Sequence, residues 1–322
     1  MNDSTSTELR VARTRSFRNG VLVGAIALAI LELTLRWLGL SRPILYVKDS
    51  EAGYRLKPSQ TVTYGRNAIS INRWGVRDSR AFDAKDPDVR RVLILGDSVT
   101  WGGVRERQDR LFTSRLEERL SGAEVINAGV NGYSIGQMAA LYRGNLRALA
   151  PDLVVVCAIV RDFTRPPKVE LRGESPLFPT RKPSWALPEA MGMAVFRVTD
   201  RFGWGAFDSA YPVERAGPAL NENQCVEANA DALKGLAAEL ASVARLLVVL
   251  LPDQYAPDRS AQAARIAASL DARRIPWKDL APAIPVRADL FIDRVHLTRA
   301  GHEEIAHALA PLVQDSLSHD VR

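Results

Sequence analysis

Apolar positions along the 322-residue chain follow two different rhythms. From Val21 to Leu40 almost every position is apolar, with Glu32, Thr34 and Arg36 as the breaks. A run of that length is just enough for a helix to cross a bilayer. From Val92 onward, short apolar runs alternate with amphipathic stretches. Val92–Leu95, Glu124–Ile126, Leu153–Ile159 and Leu246–Leu251 read as strands, with a weaker one around Ile275–Leu280, and their continuous apolar content suits a parallel sheet covered on both faces. The periodicity between them predicts helices near Arg110–Leu120, Ser134–Leu149, Val226–Ala244 and Asp258–Arg273, and a last one after Thr298. Ser134 and Gln137 have capping-box spacing, and Thr298 suits the N-cap of a helix burying Ile305, Leu309 and Leu312. The expectation is a three-layer α/β fold preceded by an N-terminal transmembrane helix. In such sheets the ligand crevice lies at the carboxyl ends of the strands.

This rhythm divides the chain into a cytoplasmic tail (1–20), an anchor (21–40), a juxtamembrane extension with a small β element (41–90) and a catalytic domain (91–322). An insertion over 163–224 interrupts that domain. The extension is read from short alternations such as Thr61–Tyr64 and Ala68–Asn72, and its small β element is expected to pack on the catalytic domain. The insertion is rich in proline and aromatics, including Pro166, Pro167, Pro176, Pro179, Pro183, Trp185, Phe196, Phe202, Trp204 and Phe207. A connection that long is functional or disordered. Leaving directly after Asp162, it is expected to overhang the crevice, where its aromatics stack on sugar rings, cover acyl chains, or form a small core from Trp185, Trp204 and Phe207.

Charge sets the topology. Arg10, Arg13, Arg15 and Arg18 precede the apolar run, so the N-terminal flank is expected to stay in the cytoplasm and the rest to be exported. Glu32 and Arg36 can pair across one helical turn. A cleaved signal peptide, with Gly39-Leu40-Ser41 as its site, and a helix lying on a surface remain alternatives. The formal charge of +6 is spread along the chain without a dense basic run carrying interleaved aromatics, which argues against nucleic acid. Cys157 and Cys225 have no metal-ligand spacing and suggest no disulfide. His302 and His307 complete no ligand set, and no phosphate-binding glycine loop occurs, so neither metal nor cofactor is expected.

The chemistry concentrates in two segments. Gly96-Asp97-Ser98-Val99-Thr100-Trp101-Gly102-Gly103 follows the first strand of the sheet, and Asp293-Arg294-Val295-His296-Leu297-Thr298 precedes the last helix. A serine hydroxyl holds its proton at neutral pH, and a histidine fixed by a carboxylate can take it during attack. The three-residue spacing lets Asp293 reach one ring nitrogen of His296 while the other faces Ser98. Between the two segments lie Ile126-Asn127-Ala128-Gly129-Val130-Asn131-Gly132-Tyr133-Ser134 and Pro151–Asp162.

These four segments, in this order, resemble the GDSL or SGNH hydrolase family over Val92 to the C-terminus. The resemblance implies a flavodoxin-like three-layer fold. It also implies that Ser98 is the nucleophile, that Asp293 and His296 complete a triad, and that the Ser98 and Gly129 N–H groups form an oxyanion hole. Where the family has Gly-x-Asn-Asp, this chain has Ile159-Val160-Arg161-Asp162. Losing an oxyanion donor costs about a hundred- to a thousandfold in turnover, but a guanidinium carries five donors and a charge that can serve the same anion. Arg161 is therefore a candidate third donor, and equally a group that pairs with Asp162 or Asp97. Asn127 and Asn131 could supply an amide instead. Trp101 is a candidate wall of an acyl pocket or a packing residue.

The implied activity is acyl-ester hydrolysis, or acyl transfer through the same triad, on an envelope ester such as an O-acylated carbohydrate. The alternatives are a non-catalytic carbohydrate-binding or assembly protein that keeps the fold, and a membrane scaffold. The expected partners are the ester and, through the N-terminal helix, the membrane.

Overall fold

The computed structural model describes residues 3–64, 67–104, 106–171, 178–201, 213–215, 219–254, 259–284 and 287–318. The chain forms two compact units, one of Met1–Pro43 with Arg181–Ala210 and a larger one of Ile44–Thr180 with Tyr211–Arg322. The division at Pro43 lies close to the expected end of the anchor at residue 40, the extension belongs to the same unit as the catalytic segments, and the stretch 163–224 is divided between the units. The physical reason lies in the extension. Its strands β1 (Tyr46–Asp49), β2 (Gly53–Leu56), β3 (Gln60–Tyr64) and β4 (Asn67–Ile71) form two antiparallel pairs, and Tyr54, Leu56, Ile69 and Ile71 are buried in the larger unit's main core.

The larger unit is built on β5 (Arg90–Gly96), β6 (Ala123–Gly129), β7 (Leu153–Ala158), β10 (Arg245–Leu250) and β11 (Trp277–Asp279). They form one parallel sheet in the order β11-β10-β7-β5-β6, the flavodoxin-like arrangement of a doubly wound α/β fold. Successive side chains of a strand point to opposite faces, and the core divides accordingly. Leu93, Leu95, Val154, Val156, Val248 and Leu250 enter one cluster, while Val92, Ile94, Val155, Cys157, Leu247 and Val249 enter the other. Both faces are covered, which is why these strands read as unbroken apolar runs.

The helices follow α2 (Ser98–Trp101), α3 (Phe112–Glu117), α4 (Ile135–Leu141), α5 (Val160–Thr164), α7 (Glu222–Leu240), α8 (Arg259–Ala272) and α9 (Arg299–Ser318), with α1 (Asp3–Trp37) and α6 (Ala186–Arg201) in the smaller unit. A short pair, β8 (Val169–Leu171) and β9 (Val213–Arg215), runs antiparallel. Ser134 and Gln137 form the expected capping box at α4. The helix there is shorter than its pattern suggests: a π turn over Tyr142–Leu146 and a 3-10 turn over Arg147–Leu149 carry the chain to Ala150, whose left-handed backbone precedes Pro151. Helix α7 begins four residues before the expected Val226 because Asn221 and Gln224 cap it reciprocally. The Thr298 hydroxyl accepts the Gly301 N–H at 3.2 Å, starting α9 as expected, and Ile305 and Leu309 are buried while Leu312 is only half-buried.

The extension reaches the candidate chemistry through Arg77. The Asn72 carboxamide oxygen accepts the N–H groups of Trp74 and Val76, folding a turn. The next residue, Arg77, is fully buried. Its guanidinium donates to the carbonyls of Trp101 and Gly103, each at 2.5 Å, and of Glu106 at 2.9 Å, and lies 4.6 Å over the Trp101 ring. Burial lowers its pKa to about 9, with Glu106 opposing. Trp101 is thereby a packing residue, 2% exposed under this cation, and not a pocket wall. Replacing Arg77 with Met leaves three carbonyls without their donor, so urea denaturation should show a loss of about 3 kcal/mol; an unchanged midpoint and slope would mean that the staple contributes nothing.

Candidate active site

Strand β5 ends at Gly96, and the Asp97 side chain caps the next helix by accepting the Val99 N–H at 2.8 Å. Ser98 is therefore the first residue of α2, directly beyond the carboxyl end of a central strand. The turn is held by close backbone contact. A Cβ on Gly129 would lie 2.2 Å from the Trp101 nitrogen, so the end of β6 and the backbone of α2 meet where only glycine fits.

Far along the chain, Phe291 and Leu297 bridge antiparallel and close a tight loop. The Asp293 carboxylate accepts the Val295 and His296 N–H groups, each at 2.9 Å. The Ile292 N–H donates to the His296 carbonyl at 2.7 Å, and Gln254 donates to the Arg294 carbonyl at 2.7 Å. This fixes the side chains in a row. His296 Nδ1 lies 2.7 Å from Asp293 Oδ2, and His296 Nε2 lies 2.9 Å from Ser98 Oγ. An ionised carboxylate can only accept, so Nδ1 carries the proton and Nε2 presents a lone pair to the serine hydroxyl. Asp97 Oδ2 is a longer alternative acceptor at 3.4 Å.

Electrostatics keep this row polarised. Burial would lower the His296 pKa, but the hydrogen bond and charge of Asp293, with Asp97 adding, raise it on balance, while Arg165 opposes. Burial works against the Asp293 carboxylate too, yet its bonds to His296 hold its pKa at about 2. Near the serine lies a half-buried cation that the sequence pattern did not single out. Arg165 Nη1 donates to Asp162 Oδ1 at 2.8 Å and to the Tyr133 carbonyl at 3.1 Å, and lies 3.6 Å from Asp97 Oδ2. Burial, followed by the Asp97 charge, pushes the Asp162 carboxyl well above the usual range. The two carboxyl groups are held together by Arg165, which bonds Asp162 and approaches Asp97.

The remaining expected residues separate. Gly129 does not offer the N–H assigned to it, because that group donates to Asn127 Oδ1 at 3.0 Å. The Asn127 amide donates to Thr100 O and Thr113 Oγ1, which takes both its protons, and the Asn131 amide donates one of its protons to Tyr46 Oη. Among the described residues, no acceptor takes the Ser98 N–H or the N–H of Gly132, which sits in the following turn with φ of +74°. Arg161 is the second residue of α5, at the carboxyl end of β7. The pairing with Asp97 and Asp162 considered for Arg161 is made by Arg165. Trp185 is 63% exposed and so is not a core residue. Pro176, Phe202, Trp204 and Phe207 lie outside the described residues.

The family model for GDSL-like lipases and acylhydrolases matches residues 94–304, spanning Ser98 and His296. The chain belongs to this family. Among solved structures, the GDSL-like chain is similar to a lipase/acylhydrolase from Enterococcus faecalis, at 15% identity over 70% of this chain and 96% of that one, with a TM-score of 0.43. It is similar to a catalytic mutant of an acetylxylan esterase from Geobacillus stearothermophilus, at 16% identity over 71% and 95%, with a TM-score of 0.43. A two-domain esterase active on acetylated mannans is similar at 14% identity over 72% of this chain and 50% of that one, with a TM-score of 0.43. At these identities the likeness concerns the fold alone. No curated protein matches the sequence.

Of the two histidines that complete no ligand set in the sequence, His307 is exposed and His302 is buried. His302 Nδ1 accepts the Phe112 N–H at 3.2 Å, giving the first donor of α3 its partner. Burial, with Arg77 and His296 adding, lowers its pKa to about 3. Between about pH 3 and the ordinary histidine value near 6.5, the unfolded chain therefore binds a proton that the folded one does not, and stability falls as pH falls through that range. His302→Asn keeps an acceptor and removes the titration. Denaturation at pH 7 and pH 5 should show a smaller acid loss in the variant; an equal loss would detach His302 from the acid limb.

Proposed function

We propose that this GDSL-like hydrolase is a serine esterase in which Ser98 attacks an ester carbonyl, His296 takes the serine proton, and Asp293 holds and charges the imidazole. The observation that carries the reading is the continuous row from Ser98 Oγ through His296 to Asp293. The oxyanion is assigned to the N–H groups of Ser98 and Gly132, which are free of intramolecular acceptors among the described residues, with the Arg161 guanidinium as a further donor. His296 returns its proton to the leaving alcohol, and water resolves the acyl-enzyme. A sugar hydroxyl in place of water would make the same site an O-acyltransferase.

The proposed substrate is an O-acylated carbohydrate of the cell envelope. The half-exposed His296 and Asp293 support this, since a nucleophile beside an open surface can take a small acyl group while a bulky alcohol stays in solvent. The apolar stretch Phe17–Trp37 is one helix long and apolar enough to cross a membrane. With the arginines before it, it supports an anchored enzyme whose larger unit is exported.

Ser98→Ala and His296→Ala should reduce p-nitrophenyl acetate hydrolysis to background while keeping the wild-type circular dichroism, and Ser98→Ala should lose labelling by a fluorophosphonate probe. Undiminished turnover in Ser98→Ala would sink the mechanism. Only neutral His296 is a base, and its pKa is raised. The acid limb of kcat/KM should therefore have its midpoint above pH 6.5, the ordinary histidine value. Asp293→Asn should move that midpoint down and lower kcat by at least about a hundredfold; a limb that stays in place would assign it to another group.

If Arg161 meets the developing oxyanion, Arg161→Ala should lower kcat by about a hundredfold with little change in KM, and Arg161→Asn should recover part of the loss. An alanine variant equal to wild type on every ester tried would remove Arg161 from the reaction. For topology, a reporter fused after Leu40 should read as exported and remain with the membrane. A soluble mature protein beginning near Arg42 would replace the anchor with a signal peptide.

A further inference from the structure

The charges that interrupt the apolar N-terminal helix have partners far along the chain. Glu32 is 7% exposed although most of its helix is open on all sides. Its carboxylate accepts the Ala186 N–H at 2.8 and 3.0 Å through its two oxygens, and the Leu187 N–H at 3.0 Å. Arg36 donates from Nε to Glu32 at 2.6 Å and from Nη2 to the Ser184 carbonyl at 2.5 Å. Ala186 and Leu187 are the first two residues of α6, and Pro188 follows. Proline brings no N–H, so both donors in the first three residues of α6 are satisfied by one side chain of α1. The carboxylate also suits the positive end of that helix. Ser41, at the end of the α1 segment, donates its N–H to the Glu189 carboxylate.

Held there, α6 shows an apolar stripe. Met191, Val195 and Val198 are 61%, 62% and 50% exposed, and Ala194 is exposed with them. Positions 191, 194, 195 and 198 recur at helical spacing on one face. Trp185, immediately before the helix, is exposed as well. Stable soluble surfaces seldom collect such side chains along one face, whereas a helix lying in a membrane interface has this form, with its apolar face about 5–10 Å into the headgroup and acyl boundary. Position along α1 gives the same depth. Glu32 precedes the end of the helix at Trp37 by five residues, about 7.5 Å along the axis at 1.5 Å per residue.

We infer that α6 is a second lipid-contacting element, an interfacial helix whose N-terminus is clasped by Glu32 and Arg36 of α1 and whose Met191–Val195–Val198 stripe enters the bilayer. This rests on the anchored reading of α1 given above. The smaller unit is then a two-helix membrane foot assembled from segments 150 residues apart in sequence, approximately the separation of Glu32 from Ala186.

The test uses the full chain in phosphatidylethanolamine–phosphatidylglycerol vesicles. An environment-sensitive fluorophore is attached to a single introduced cysteine, Met191→Cys, Ala27→Cys in α1 or Ser242→Cys in the larger unit. The native Cys157 and Cys225 are buried, so labelling of folded protein is confined to the introduced thiol. Lipids carry a doxyl quencher at a shallow or a deep acyl position. The expected result is strong shallow quenching at position 191, strong deep quenching at position 27, and loss of the quenching at 191 but not at 27 in Glu32→Ala. Quenching at 27 without quenching at 191 overturns the inference and leaves the anchor intact. Absence of quenching at both positions shows that the anchored reading itself fails. A blue shift at 191 without doxyl quenching shows that protein, such as a second copy of the chain, covers the stripe, and overturns the inference as well.

Discussion

The arrangement around Ser98 depends on one buried carboxylate. Asp97 is 1% exposed, and its two oxygens serve different masters: one caps α2 through the Val99 N–H, while the other faces the Ser98 hydroxyl and the Arg165 guanidinium. A carboxyl group that deep needs hydrogen-bonding partners. Arg165 spans Asp97 and Asp162 while holding the Tyr133 carbonyl. Asn229 of α7 then fixes the backbone of this corner by donating to the Phe163 and Arg165 carbonyls, each at 2.8 Å. Elements following β5, β6 and β7 are thus tied around a side chain that makes no covalent change itself, and α7, which shares their core cluster, holds the corner from outside.

The two sides of the site are stiffened by different means. The serine side is backbone packed on backbone, at Gly129 and at Gly96, where a Cβ would sit 2.7 Å from the Cys157 carbonyl oxygen. On the histidine side a short loop folds around Asp293, which bonds its own following N–H groups and the imidazole together. One part tolerates no added atom. The other tolerates no lost acceptor.

Much of this was legible in the chain because it rests on periodicity and local spacing. The strand runs, the Ser134 and Thr298 caps and the adjacency of Asp293 to His296 are short-range facts, and a parallel sheet follows from strands that are apolar on both faces. What was not legible depends on which groups meet in space. Gly129 looks like a loop donor in the sequence, but its N–H is taken by Asn127, two residues earlier. Arg161 and Arg165 differ by four positions, and nothing local says that the second reaches the carboxylates. The extension reads as a small β element packed on the catalytic domain, but the residues that do the packing are not legible in its short strands. Its burial arises from Tyr54, which meets Tyr133 and Phe178 edge-on at ring distances of 5.2 and 5.1 Å. The role of Arg77 shows only once the carbonyls of the loop after α2 are in place.

The long separation between Glu32 and its acceptor-seeking helix has a consequence for biosynthesis. At about 5–20 residues per second, a ribosome that has made Glu32 takes on the order of ten to thirty seconds to deliver Ala186. On the anchored reading, α1 must enter the lipid during that interval with its carboxylate uncommitted. Arg36, one turn away and 2.6 Å from it, gives the nascent helix an internal counter-charge for the wait. The same pair would then have two successive duties: first neutralising a segment that is being inserted, later handing the carboxylate to α6. A leader cut away near Leu40 would carry off the carboxylate that caps the start of a helix made long after it, so trimming of this end would bear directly on completion of the smaller unit.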